Sequence, residues 1–137
     1  MFVFSENPTF WWPVKVVEPH PETPGTFVER EFEAQFVMLD PVQARASLKA
    51  RSAIIARITA DLTEAEADEL QDQLDLHDRG MTLKVLKNWR GIEDATGKAI
   101  PFNDATFAEI YKHRRVRNGL VAAYLDAVSE DKARLGN

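Results

Sequence analysis

The sequence predicts an α+β fold: an N-terminal antiparallel β-hairpin or meander, then about four helices, with a short irregular or hairpin insert near residues 91–102. Three observations predict it. "TFVEREFEAQFVML", residues 26–39, alternates apolar and polar side chains with the period of a half-buried antiparallel strand. From Asp40 onward, apolar residues recur at helical spacing behind Asp, Thr and Asn caps. Within that helical part, "GIEDATGKAIPF" sets Ile92 and Ile100 on either side of a turn sequence.

The chain has 137 residues, the length of one ordinary domain, and a single domain is expected, β-rich over 1–40 and mainly helical over 41–137. A chain this long buries roughly two-thirds of its unfolded surface, so a core forms without staples. "FWWPVKVVE", residues 10–18, is rich in aromatic and β-branched types and reads as a strand. Pro13 has no N–H to give a ladder, so this strand belongs at an edge or starts late. "PHPETPG", residues 19–25, is a loop; Pro8, Pro13, Pro19, Pro21 and Pro24 leave only Pro41 and Pro101 for the rest of the chain. On the second strand Phe32, Ala34, Phe36 and Met38 share one face, with Glu31, Glu33 and Gln35 on the other.

Asp40-Pro41 starts a helix, with Asp as cap and Pro at its first position. Leu48, Ile55 and Ile58 share its stripe with Ala44. Thr63 and Glu66 form a capping box for the next helix, whose seam is Leu70 and Leu74 and which Gly80 is expected to end. "MTLKVLKNW", residues 81–89, reads as a short helix or turn packing Leu83, Leu86 and Trp89. "DATG", residues 94–97, is a turn, and Asn103 caps the last helical region with Asp104 in its first turn. Phe107, Ile110, Tyr111, Leu120, Val121, Tyr124, Leu125 and Val128 follow at helical spacing, and Gly119 is expected to break or bend that region. The tail "SEDKARLGN" is expected to fray.

Composition excludes several kinds of chemistry. Without cysteine there is no disulfide framework, thiolate metal site or thiol nucleophile. His20, His77 and His113 lie far apart and lack metal-ligand spacing, so they read as solvent-exposed imidazoles. The carboxylates between residues 64 and 78 share one helix and read as a solvated face, not an acid/base pair across a cleft. No serine sits in a G-x-S-x-G turn, and "RGIEDATGK" lacks the spacing of a phosphate loop. The expectation is a protein without catalytic residues, cofactor or metal. Its net charge of −5 argues against nucleic acid as the main partner. No apolar run approaches the ~20 residues of a membrane helix. "MFVFSENPTFWWPVKVV" lacks a basic start and is broken by Pro8 and Pro13, so it is not read as a signal peptide; a cytoplasmic protein is expected.

Two surfaces remain as candidate contacts. Trp11 and Trp12 are adjacent on a strand and face opposite ways, so one is exposed unless something covers it. "YKHRRVRNG", residues 111–119, concentrates Lys112, Arg114, Arg115 and Arg117, which flank a helical seam and either stay solvated or meet phosphate or an acidic partner.

The order of features resembles the tail assembly chaperones of long-tailed bacteriophages and related prophages. "FWWPVKV", "FEAQFVML", "VLKNWRGIEDATGKAIPFN" and "VRNGLVAAYLDAV" come in the family's order. The sharp part is Trp89, Gly91, Ile92, Asp94, Gly97, Ile100, Pro101, Phe102 and Asn103. The resemblance implies a non-enzymatic protein that binds the long helical tape measure protein and recruits major tail protein subunits in the host cytoplasm. A homo-oligomer is left open by the sequence. The resemblance also implies that an end at Asn137 fits the shorter of two frameshift products. Residues 88–103 then form a rigid connector, anchored in the core by Trp89 and Phe102, whose turn orients the helical regions around it. The competing readings are a small nucleic-acid-binding or regulatory protein using residues 111–119, and, further behind, an enzyme built from scattered carboxylates.

Overall fold

The structure, a computed structural model, describes residues 1–129. Its elements run β1 (Thr9–Pro19), β2 (Phe27–Val37), α1 (Pro41–Ala56), α2 (Glu64–Val85), β3 (Leu86–Arg90), α3 (Asp104–Tyr111) and α4 (Arg114–Ala127). The expected α+β fold is therefore present, with its hairpin, four helices and a small insert. The expectation for the tail beyond Ser129 lies outside the described residues. The chain divides into two compact units, one of Thr9–Phe36 with the chain from Leu86 on, the other of Met1–Pro8 with Val37–Val85.

The first unit is built on an antiparallel sheet of order β1-β2-β3. Strand β1 lies at an edge, the position in a sheet where a proline such as Pro13 is tolerated. The loop after β1 closes through the His20 N–H, which donates to the Thr26 carbonyl at 2.9 Å. Alternation puts Val14 and Val16 of β1 and Phe32, Ala34 and Phe36 of β2 in the core. Met38 lies beyond the strand and is exposed, so it does not extend that face.

The expected helix or turn at 81–89 is helical only to Val85, as the end of α2, and strand β3 corrects it from Leu86 on. Ala34 faces Trp89 and Phe36 faces Leu86, so the register slips by one residue between Gln35 and Phe36. This bulge turns both Leu86 and Trp89 inward although they stand three apart. Asn88 stabilises it by accepting the Trp89 backbone N–H at 2.9 Å.

Helix α4 packs on β1. It runs through Gly119 without a break, contrary to expectation. The break falls at Lys112–His113, where His113 is extended. Tyr111 and Val116 are both buried, and in one continuous helix five residues would point them to different faces. Breaking the helix restores a common face.

The second unit is the α1–α2 hairpin with the N-terminal residues. Asp40 Oδ1 accepts the Gln43 N–H at 2.9 Å, and Thr63 and Glu66 form the expected reciprocal box, both bonds at 3.1 Å. Gly80 does not end α2, which continues to Val85. A glycine stops a helix readily when it adopts positive φ, and the described glycines that do so are Gly25, Gly91 and Gly97. Gly80 stays helical, and burial of Thr82 and Val85 holds the last turns. The seam between the helices is largely polar: Arg51 grips Asp78 at 2.8 and 3.2 Å, Ser47 meets His77 at 3.3 Å, and Arg57 reaches Gln73 at 3.3 Å. No residue of α1 is buried. Leu48, Ile55 and Ile58, expected to form its packed stripe, are exposed, and Ile58 lies past the helix end.

Candidate partner-binding surface

Residues 88–103 fold as one piece. Ile92 and Ile100 are bridged by a backbone bond of 2.8 Å, and Glu93 pairs with Ala99. Gly97, at φ +86°, closes the Asp94–Gly97 turn, a backbone conformation that suits glycine. Gly91 takes φ +87° and brings its backbone against Phe32. The Trp89 indole N–H donates to the Ile100 carbonyl at 2.8 Å, and the Trp89 ring meets Phe102 edge-on at 4.9 Å and Phe32 at 6.5 Å. Beyond Pro101, the Asn103 side chain accepts the Thr106 N–H at 2.9 Å while the Thr106 hydroxyl accepts the Asn103 N–H, which starts α3. Gly91, Asp94, Gly97, Pro101 and Asn103 thus serve geometry, and Trp89 and Phe102 serve packing.

Asp94 holds the turn from within. Its Oδ1 accepts from the Thr96 hydroxyl at 2.6 Å and from the N–H groups of Thr96 and Lys98 at 2.8 and 3.1 Å. The Thr96 hydroxyl first, then these two N–H groups, hold the carboxyl below the usual aspartate range. A depressed carboxyl contributes stability above its unfolded pKa and loses it as pH falls through the folded value. The turn should therefore outlast ordinary aspartates on acidification. Carboxyl NMR titration should place Asp94 below the usual range, and Thr96→Val should move it back up. An ordinary Asp94 titration unchanged by that substitution would contradict this.

Trp11 and Trp12 are both half-buried. Trp12 meets Phe10 edge-on at 6.3 Å. Trp11 has the Arg90 guanidinium over its ring at 4.0 Å, and Arg90 also pairs with Glu33 at 2.8 Å. Trp11 is therefore covered by a cation from β3.

The basic stretch is dispersed. Arg115 pairs with Glu18 at 3.1 Å, Lys112 with Glu109 at 2.7 Å, and Arg117 lies over the Tyr111 ring at 5.9 Å. Arg114 is exposed. Most of the cations that would meet a phosphate chain already have partners within the first unit. Nor are the histidines all exposed, as expected. His20 is half-buried, its Nδ1 accepting the N–H groups of Glu22 and Thr23 at 3.1 Å, and His77 is half-buried against Ser47; His113 alone of the three is exposed.

Sequence reasoning missed the apolar surface of the second unit. Phe2 and Phe4 are 84% and 72% exposed, and Val42, Leu48, Ile55, Leu76 and Leu83 are exposed along the hairpin. The signal lay in α1, where Ile54 and Ile55 are adjacent and small or charged residues fill most other positions, so no wide apolar face exists to bury. An open cleft of about 530 Å³ lies between Arg57, Leu62, Ala65, Glu66, Glu69 and Leu70. Among the described residues no group of three or more His, Asp or Glu could hold a metal ion, and no helix is long and apolar enough to cross a membrane. The chain matches no protein-family model, no curated protein and no solved structure.

Proposed function

We propose that this protein is a non-enzymatic tail assembly chaperone, which binds tape measure protein and major tail protein subunits while a phage tail is built in the host cytoplasm. The observation that carries a binding role is the state of α1, a sixteen-residue helix with no buried residue. Helices draw most of their stability from packing an apolar face, so α1 has reason to acquire a partner. The exposed phenylalanines of the same unit add apolar surface for weak, reversible contact. The choice of tail proteins as partners comes from the resemblance carried by Trp89, Gly91, Ile92, Asp94, Gly97, Ile100, Pro101, Phe102 and Asn103. A tape measure protein presents long apolar helical stripes, and a chaperone carrying surface charge would keep the complex dissolved.

Co-expression tests the proposal. A tape measure protein that is insoluble alone should become soluble with this chain and co-purify with it, and major tail protein should join the complex. A folded chain that leaves tape measure protein insoluble and captures neither partner would overturn it.

A further inference from the structure

We propose that the Leu48–Ile55 ridge of α1 is a docking line for an acidic amphipathic helix of a partner protein; this rests on the binding role proposed above and specifies where and with what chemistry that role is exercised. Leu48 and Ile55 stand seven residues apart, so they fall on one line about two turns long. They are 68% and 42% exposed. Arg51 lies beside this line but is drawn to Asp78 and so held at the hairpin seam. The ridge is left open for a second helix to bury.

Charge selects that helix. From Pro41 to Ala56 the residues that carry charge are Arg45, Lys49 and Arg51, with no acid among them. Arg51 is compensated by Asp78. Arg45 and Lys49 are exposed on the flank of the ridge, and no acidic side chain among the described residues forms an ion pair with either. The complement of an apolar line flanked by cations is an apolar stripe flanked by Glu or Asp. The pair Arg51–Asp78 already uses this chemistry between α1 and α2.

Two other occupants fit less well. An anionic bilayer would need a broad apolar face, and it would be repelled by the exposed Glu64, Glu66, Glu69, Asp72 and Asp75 of the same hairpin. A second copy could offer α2, where Leu76 and Leu83 are exposed and Asp72 and Asp75 lie beside Leu76, but Arg79 between the two leucines and Lys84 next to Leu83 would oppose Arg45 and Lys49.

The test uses the full chain and two fluorescent synthetic helices of roughly 20 residues, long enough to be helical in part. Both carry leucine at i, i+3, i+4 and i+7 spacing; one has Glu on the flanks and the other Lys. The Glu peptide should bind at least about tenfold more tightly than the Lys peptide, with amide shifts centred on residues 42–58. The exposed double variant Leu48→Glu/Ile55→Glu should keep its helical circular dichroism and lose binding. Arg45→Glu/Lys49→Glu should reverse the preference. Equal binding of both peptides, or shifts centred elsewhere, would overturn the proposal. So would sedimentation showing self-association abolished by Leu48→Glu, or flotation with phosphatidylserine vesicles abolished by it, since each names a different occupant. Selective peptide binding without tape measure capture would remove the tail role and leave the docking line standing. Tape measure capture unchanged in Leu48→Glu/Ile55→Glu would remove the docking line and leave the tail role.

Discussion

Replacing Trp89 with alanine should lower the unfolding free energy by about 3–5 kcal/mol, the usual cost of deleting a large buried aromatic. Trp89 is buried, its ring touches Phe32 and Phe102, and its indole N–H holds the Ile100 carbonyl. One substitution therefore empties a core position, removes two edge-on ring contacts and leaves a carbonyl without its donor. Against a typical total of about 5–15 kcal/mol, the loss is large. Urea denaturation followed by circular dichroism measures it. Trp89→Phe separates the parts: it retains a ring and loses the N–H, and should cost about 1–3 kcal/mol. A Trp89→Ala protein as stable as the parent would show that residues 88–103 are not anchored where the structure places them.

Gly119→Ala should destabilise the protein by about 1–3 kcal/mol, although alanine is the better helix former by ~1 kcal/mol. A Cβ at position 119 would lie 2.6 Å from the Lys15 carbonyl oxygen and 3.2 Å from a Val14 methyl. The nearer atom is strand backbone, so α4 would have to lift from β1 as a body. Gly119→Val should cost more. Gly80→Ala is the matched control: Gly80 also lies within a helix, a Cβ there meets nothing within 4 Å, and the change should stabilise by about 0.5–1 kcal/mol. If both alanine variants shifted stability in the same direction, α4 would not approach β1 as closely as described.

What could be read from the residues alone divides along physical lines. Local rules worked where one local interaction decides the outcome. Alternation along residues 27–37 placed Phe32, Ala34 and Phe36 inside, Pro13 sent β1 to an edge, and Asp40, Thr63 with Glu66, and Asn103 marked three helix starts. They failed where tertiary contacts decide. Strand β3 was hidden because its bulge spaces Leu86 and Trp89 by three, which imitates a helix. Gly80 and Gly119 look alike in sequence as helix breakers, yet one faces open space and the other a strand carbonyl. In the candidate surface, the pairing of Trp11 with Arg90 joins residues from opposite edge strands, which no local spacing encodes. The exposure of Leu48 and Ile55 was hidden for the converse reason: their stripe resembles a buried face, and only the fold reveals that both residues are exposed.

The pairing of Phe36 with Leu86 has an architectural consequence. The chain leaves the sheet one residue after Phe36 and re-enters at Leu86, so everything between Val37 and Leu86 is a detour between two paired ladder positions. Such a detour is a replaceable cartridge. A hairpin turn of roughly two to five residues would span the same gap, and lengthening the excursion twofold adds only about 0.6 kcal/mol of closure entropy. One helical insert can thus be exchanged for another at little cost in closure entropy, while the pairing of β2 with β3 stays as it is.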